Sequence, residues 1–163
     1  NPLQTRAHEA VLSLMKRCHE SLRGSRGVVM SLASFNALRN TMTWMGVGNV
    51  EGMLPSANTR DSSSSYRSLS VRGGIVGYRL PSLYDAALPV VSGDLLIFIT
   101  DGIRAGFVKE QLQKYSLSPT LDRTKPAQQI ANFILDQYGR KTDDALVLVA
   151  RYKGNESLTI SLS

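Results

Sequence analysis

Gly93-Asp94-Leu95-Leu96-Ile97-Phe98-Ile99-Thr100-Asp101-Gly102 is the stretch that decides the fold. Leu95 to Ile99 is a continuous apolar run too short for a core helix, which predicts a strand buried on both faces. The run stops at Thr100-Asp101-Gly102, and Asp-Gly is turn chemistry. A second run of this kind, Ala145 to Arg151, is preceded by Thr142-Asp143-Asp144. One acidic point therefore closes a buried strand and another opens one. If the two strands lie antiparallel side by side, Asp101 and Asp143 emerge at the same edge of the sheet. Carboxylates held at a rigid edge suit hard cations such as magnesium or manganese, which prefer oxygen ligands. Spacing alone leaves the plainer reading open, in which Asp-Gly is a turn and Asp-Asp a solvated cap.

Outward from these strands, the pattern alternates between short β-like runs and a few helices. Leu3, Ala7, Ala10, Val11, Leu14, Cys18 and Leu22 recur at three-to-four spacing, predicting a helix opened by Pro2 and stopped near Gly24. Gly27 to Phe35 and Met42 to Val50 read as strands joined by a turn at Asn36 to Asn40, and Glu51 to Pro55 as a continuation of that sheet after a bend at Gly48-Asn49. Asn58 to Ser65 reads as an exposed serine-rich loop, and Tyr66 to Val71 as a strand. Gly73, Gly74 and Gly77 predict a flexible stretch ending near Pro81, with Tyr84 to Val91 a further strand. Phe107 to Tyr115 and Pro126 to Tyr138 read as helices, the second closed by Gly139, and Leu158 to Leu162 as a last strand. Strands outnumber helices, and no repeat or linker interrupts residues 1–163, so the expectation is one α+β domain with helices covering sheet faces.

Composition narrows the function classes. With 163 residues, the chain is long enough to bury a real core. It has no apolar run of bilayer length and no basic-then-apolar leader, so no membrane role is expected. The single cysteine, Cys18, excludes an internal disulfide and fits a cytoplasmic location. The net charge of +6 allows nucleic acid or an acidic protein as partner. Because Lys and Arg are scattered and no basic stripe is interleaved with aromatics, no nucleic-acid partner is expected. His8 and His19 stand about three turns apart, too far to share a metal, and read as surface residues. Cys18 and Trp44 read as core, Ser62 to Ser65 as loop, and Gly46-Val47-Gly48-Asn49 as a glycine bend.

Several segments taken in order resemble one family. Gly46-Val47-Gly48-Asn49-Val50-Glu51-Gly52 is similar to its central glycine-asparagine hairpin. Gly93 to Gly102 resembles its strand with the Thr-Asp-Gly motif, and Thr142-Asp143-Asp144-Ala145 with Leu146 to Ala150 resembles its final Asp-Asp motif and strand. The family is the PP2C-type (PPM) metal-dependent serine/threonine phosphatases, in the SpoIIE/RsbX-like branch. Arg26-Gly27, the short length and Gly74 to Pro81 look most like its RsbX-type members.

The resemblance implies an α+β, PP2C-like β-sandwich of two mainly antiparallel sheets packed face to face and flanked by helices. It implies two manganese or magnesium ions (Mn2+ or Mg2+), with Asp101 and Asp143 as metal ligands that act in catalysis through the metal. Asp144 carries over less directly, as support or an additional ligand. A metal-bridging water or hydroxide would attack phosphorus in line. It further implies a cytoplasmic phosphatase acting on phosphorylated STAS-domain proteins of a stressosome-like complex. Two departures stand out. The family's first Asp-Gly motif has no counterpart, because Asn1-Pro2-Leu3 begins where the following helix should begin, so the first strands are expected to be missing. Leu146 stands where the family usually has threonine. A pseudophosphatase acting as a protein-binding module is the alternative if the upstream Asp-Gly is truly lacking. A phosphohydrolase of small metabolites is a third reading.

Overall fold

The computed structural model describes residues 2–55, 66–107, 124–154 and 158–162. In chain order these form α1 (Pro2–Ser21), β1 (Met30–Asn36), β2 (Thr41–Val47), β3 (Glu51–Pro55), β4 (Tyr66–Leu69), β5 (Ala86–Pro89), β6 (Leu95–Ile99), α2 (Ala127–Tyr138), β7 (Val147–Tyr152) and β8 (Leu158–Leu162). Among the described residues, the strands make a three-stranded sheet in the order β1-β2-β5 and a five-stranded sheet in the order β4-β3-β6-β7-β8. Every strand pair in both is antiparallel. The sheets belong to different compact units of the chain. The first comprises Asn1–Val50 and Ser70–Val90, the second Glu51–Leu69 and Val91–Ser163.

In the first unit, β1 and β2 form a hairpin from Met30↔Val47 to Asn36↔Thr41. Its turn is built by polar residues: the Asn36 side-chain oxygen accepts the Arg39 N–H at 3.1 Å, and Asn40 takes a positive φ of 49°. Helix α1 covers one face of this sheet. Val11 and Met15 bury against Met45, Val47 and Val76, with Leu22, Met30 and Leu32 at the margin. The expected stripe is displaced at one point, since Leu14 is exposed. At about 100° per residue, Leu14 falls roughly a quarter-turn from Met15, which lies at the centre of the buried face.

Glu51 to Pro55 does not continue this sheet. Strand β2 already has β1 on one edge and β5 on the other, so the chain after Val47 finds no place beside β2. Strand β3 pairs instead with β4 and β6 in the second unit. The Gly48-Asn49 bend is therefore not a hairpin turn. The glycine-rich segment after β4 is held, not loose. Arg72 exchanges backbone hydrogen bonds with Gly46 and Gly48, and Val76 with Val28, while Ile75 and Arg79 close a tight turn on each other. Gly77 sits in that turn at a φ of 95°, a conformation open to glycine at no steric cost.

His19 is buried, against the expectation of a surface residue, and its Nδ1 accepts the N–H of Gly77 at 2.9 Å. Burial of an imidazole needs such a partner. The side chain of His8 lies outside the described residues.

In the second unit, Leu95, Ile97 and Ile99 of β6 share a face with Val147 and Val149 of β7, as the two-residue period of a strand requires. Ala127, Ile130, Ala131 and Ile134 of α2 bury on that face, with Phe133 and Tyr138 packed beside them. Each fully buried aliphatic side chain contributes about 1.5–3 kcal/mol of transfer free energy. Leu96 and Phe98, on the opposite face of β6, are buried too, as a continuous apolar run demands. Of the expected helix from Phe107 to Tyr115, the structure describes only the first residue, which is helical and meets Tyr138 in a tilted ring contact at 5.0 Å between centroids. The rest of that helix and the serine-rich loop lie outside the described residues. No described helix is long and apolar enough to cross a membrane.

Candidate metal centre

Strands β6 and β7 pair from Leu95↔Arg151 to Ile99↔Val147. The polarity of this pairing places the residues after Ile99 beside those before Val147. The ladder runs one step further through a side chain: the Thr100 N–H donates to the Leu146 carbonyl at 3.2 Å, and the Leu146 N–H donates to the Thr100 Oγ1 at 2.9 Å. The hydroxyl thus replaces a carbonyl where the chain starts to turn. Leu146 enters only through its backbone, its side chain being exposed.

The turn itself is closed by the Ile103 N–H donating to the Thr100 carbonyl at 3.0 Å, with Asp101 and Gly102 at its two central positions. Gly102 is packed against the backbone at Asp144 and Ala145. A Cβ at Gly102 would overlap the Asp144 carbonyl oxygen and stand 2.8 Å from the Ala145 Cα. Glycine is what lets the turn lie flat on the segment that carries the second acidic motif.

The C-terminal end of α2 fixes the turn from the other side. The Arg104 N–H donates to the Tyr138 carbonyl at 2.9 Å, and the Arg140 N–H to the Gly102 carbonyl at 2.8 Å. Asp101, Asp143 and Asp144 are all exposed at this edge. One oxygen of Asp143 accepts the Asp144 N–H at 2.9 Å, which orients its carboxylate.

The carboxylates and carbonyls along this edge have the hard-oxygen chemistry that magnesium or manganese requires. Among the described residues, however, no three of His, Cys, Asp or Glu are grouped closely enough to hold an ion. The edge therefore fits such an ion in kind, and supplies part of a ligand set.

At the far end of the same strands, a third acidic residue has a structural task that the motif did not disclose. Asp94 is buried, and its carboxylate accepts the Val91 N–H at 2.9 Å. Its carbonyl accepts the Tyr152 N–H at 2.8 Å, while the Gly93 N–H donates to the Tyr152 carbonyl at 2.7 Å. Asp94 closes the turn into β6 and sets the register of the β6/β7 pair. An acid just before a buried strand, following glycine, was the signal for it. The Thr100 hydroxyl and the His19 ring gave no such signal, because both act through a rotamer.

Comparison with known proteins agrees with this architecture. Residues 3–153 match the family described as Stage II sporulation protein E (SpoIIE). The chain is 28% identical over 109 residues to the phosphoserine phosphatase RsbX of Bacillus subtilis (strain 168), a match covering 66% of this chain and 52% of that protein. It thus spans about half the length of this curated relative. Among solved structures, it is similar to a chain from work on the bacterial stressosome, described as a modular system that has been adapted to control secondary messenger signalling. That likeness has a TM-score of 0.70 and 28% identity, and covers 86% of this chain and 67% of the other. It is also similar in fold to RsbX in complex with magnesium, with a TM-score of 0.64 and 22% identity, over 90% of this chain and 66% of that one. Two antiparallel sheets with few helices, the Thr-Asp-Gly turn and the Asp-Asp segment together at one end of the β6/β7 pair, and a family match over nearly the whole chain lead to one assignment: the chain belongs to the SpoIIE family of PP2C-type phosphatase domains.

Proposed function

We propose that this chain forms the core of a metal-dependent protein serine/threonine phosphatase that releases phosphate from phosphorylated STAS-domain proteins in stressosome-type signalling. The observation that carries the reading is the β6/β7 edge, where Gly102 lies on the Asp144–Ala145 backbone and brings the two acidic motifs together. Likeness to a phosphoserine phosphatase and to a stressosome chain supports the reaction class and the setting. Asp101 and Asp143 are the proposed ligands of manganese or magnesium, with Asp144 supporting them, and the magnesium complex of RsbX is consistent with that choice. When bound, such ions supply an activated water and neutralise charge on the phosphoryl oxygens. The chain's own part is to hold Asp101 in a closed turn and Asp143 against the Asp144 N–H. That arrangement supports the assignment of Asp101 and Asp143 as ligands.

The test is phosphate release by the full-length protein from a phosphorylated STAS-domain protein, with and without manganese. Metal-dependent release is expected, falling by about two orders of magnitude or more in Asp101→Asn and Asp143→Asn, the scale at which one preorganised charge-stabilising group acts. Folded protein that releases nothing with any divalent ion, yet binds the phosphoprotein, would favour a second reading, a protein-binding module without catalysis. The partial ligand set among the described residues is the observation that keeps this second reading in play. Release from small metabolites but not from phosphoprotein would instead assign a metabolite phosphohydrolase.

A further inference from the structure

The first unit carries a surface built from residues other than those of the edge just described. Val28 and Ile75 are partly exposed, Tyr78 is 77% exposed and Tyr84 65% exposed. Arg72 and Arg79 stand among them and are also exposed. A group of exposed apolar side chains rimmed by polar residues marks an interaction site. Val28, Ile75, Tyr78 and Arg79 are neighbours, and Arg72 with Tyr84 forms a second pair on segment 70–90. Val28 exchanges backbone hydrogen bonds with Val76, between Ile75 and the Tyr78 turn, and a Cβ built on neighbouring Gly27 would stand 3.6 Å from the Tyr78 Cβ. The Arg72 guanidinium lies 4.7 Å from the centre of the Tyr84 ring, over its face.

The surface is also rigid. Ile75 and Arg79 pair on each other, the Gly77 N–H is held by the buried His19, and the Arg72 backbone is tied to Gly46 and Gly48. A prepared surface loses little conformational freedom on binding, and tyrosine and arginine are the residues enriched at the energetic centres of interfaces.

Charge selects the partner. The first unit, 1–50 with 70–90, contains eight Lys and Arg against three Asp and Glu, which is five of the chain's six net positive charges. The only acid on segment 70–90 is Asp85, which is half-buried. A second copy of the chain would bring like-charged arginines face to face, whereas an acidic surface complements them.

We propose that this tyrosine–arginine surface docks an acidic protein, the phosphoprotein substrate itself. The proposal rests on the phosphatase reading for its substrate and on geometry and charge for its place. Docking energy of this kind appears in KM for a protein substrate and not in the turnover of small esters, which carry no protein surface to dock.

The test compares full-length wild type, Arg79→Glu and Tyr78→Ala on a phosphorylated STAS-domain protein and on p-nitrophenyl phosphate. Expected is a rise in KM for the phosphoprotein of about tenfold or more, with kcat and p-nitrophenyl phosphate hydrolysis unchanged. An unchanged KM overturns the proposal, and so does an equal loss on both substrates. If wild type hydrolyses neither, the phosphatase reading has failed. Calorimetric binding of the same phosphoprotein then decides the docking surface: binding weakened by both variants sustains it, and binding that is absent or unaltered overturns it. Self-association in the ultracentrifuge, or RNA binding, weakened by the same variants while phosphoprotein binding is untouched assigns another occupant. The Arg79 side chain is exposed, so Arg79→Glu carries the test if Tyr78→Ala fails to fold.

Discussion

Gly102 is the residue at which the two acidic motifs touch. Any side chain there meets the Asp144 carbonyl and the Ala145 Cα, both of them backbone atoms that cannot rotate away. Gly102→Ala is expected to push the Thr100–Ile103 turn off the entry to β7. It should cost about 1–3 kcal/mol of stability, the usual price of overpacking, and reduce metal-dependent phosphate release at least about tenfold. Thermal melting and steady-state kinetics on the purified variant read both effects. A variant with wild-type melting and activity would mean that the two backbones separate freely. At this scale the sequence was informative about where Asp101 and Asp143 fall along the strands, since two paired antiparallel runs leave little freedom to the residues at their shared end. It was silent on Thr100, whose Oγ1 becomes the acceptor for Leu146, and misleading on His19. Spacing on a helix says which residues share a face, but not that a ring nitrogen there will meet a glycine N–H from a distant turn.

Among the elements, α2 links core and candidate site. Its apolar side packs on β6 and β7, and its last turn holds the Thr100–Arg104 segment through the Tyr138 carbonyl and the Arg140 N–H. Ile134 is fully buried at the centre of that contact. Ile134→Ala is expected to cost about 2–5 kcal/mol, measured as a lowered urea midpoint. A cost below about 1 kcal/mol would show that the helix is not seated on the sheet as described. This helix was legible because Pro126, Gly139 and a clean apolar period all agreed. Strand β3 was legible as a strand and misplaced as to sheet, because local pattern carries no information about which edges are already taken. That fact depends on β5, which starts only at Ala86, well beyond β3 in the chain.

For the molecule as a whole, the concentration of positive charge in the first unit has a kinetic consequence. Association of the full-length protein with an acidic phosphoprotein is expected to slow several-fold as ionic strength rises from about 0.05 M to about 0.5 M, as the Debye length shrinks from roughly 14 Å to 4 Å. Stopped-flow association rates read this directly, and a rate insensitive to salt would remove charge steering from the account. Overall composition showed the net charge but not its location: Lys and Arg are spread over both units, eight in the first and eleven in the second, and it is Asp and Glu, three against ten, that segregate.

The sorting itself carries a last implication. Residues 51–69 belong to the second unit yet are flanked in the chain by segments of the first, so the units interleave. A single recombination event between the genes of two relatives, wherever its breakpoint falls, therefore leaves at least one unit of mixed parentage. A breakpoint after Val90 keeps the first unit whole but sets β3 of one parent beside β6 of the other, across the pairs Glu51↔Ile99 to Met53↔Ile97. Inheritance of such a domain favours the whole block over its parts, and β3 and β6 must change in step.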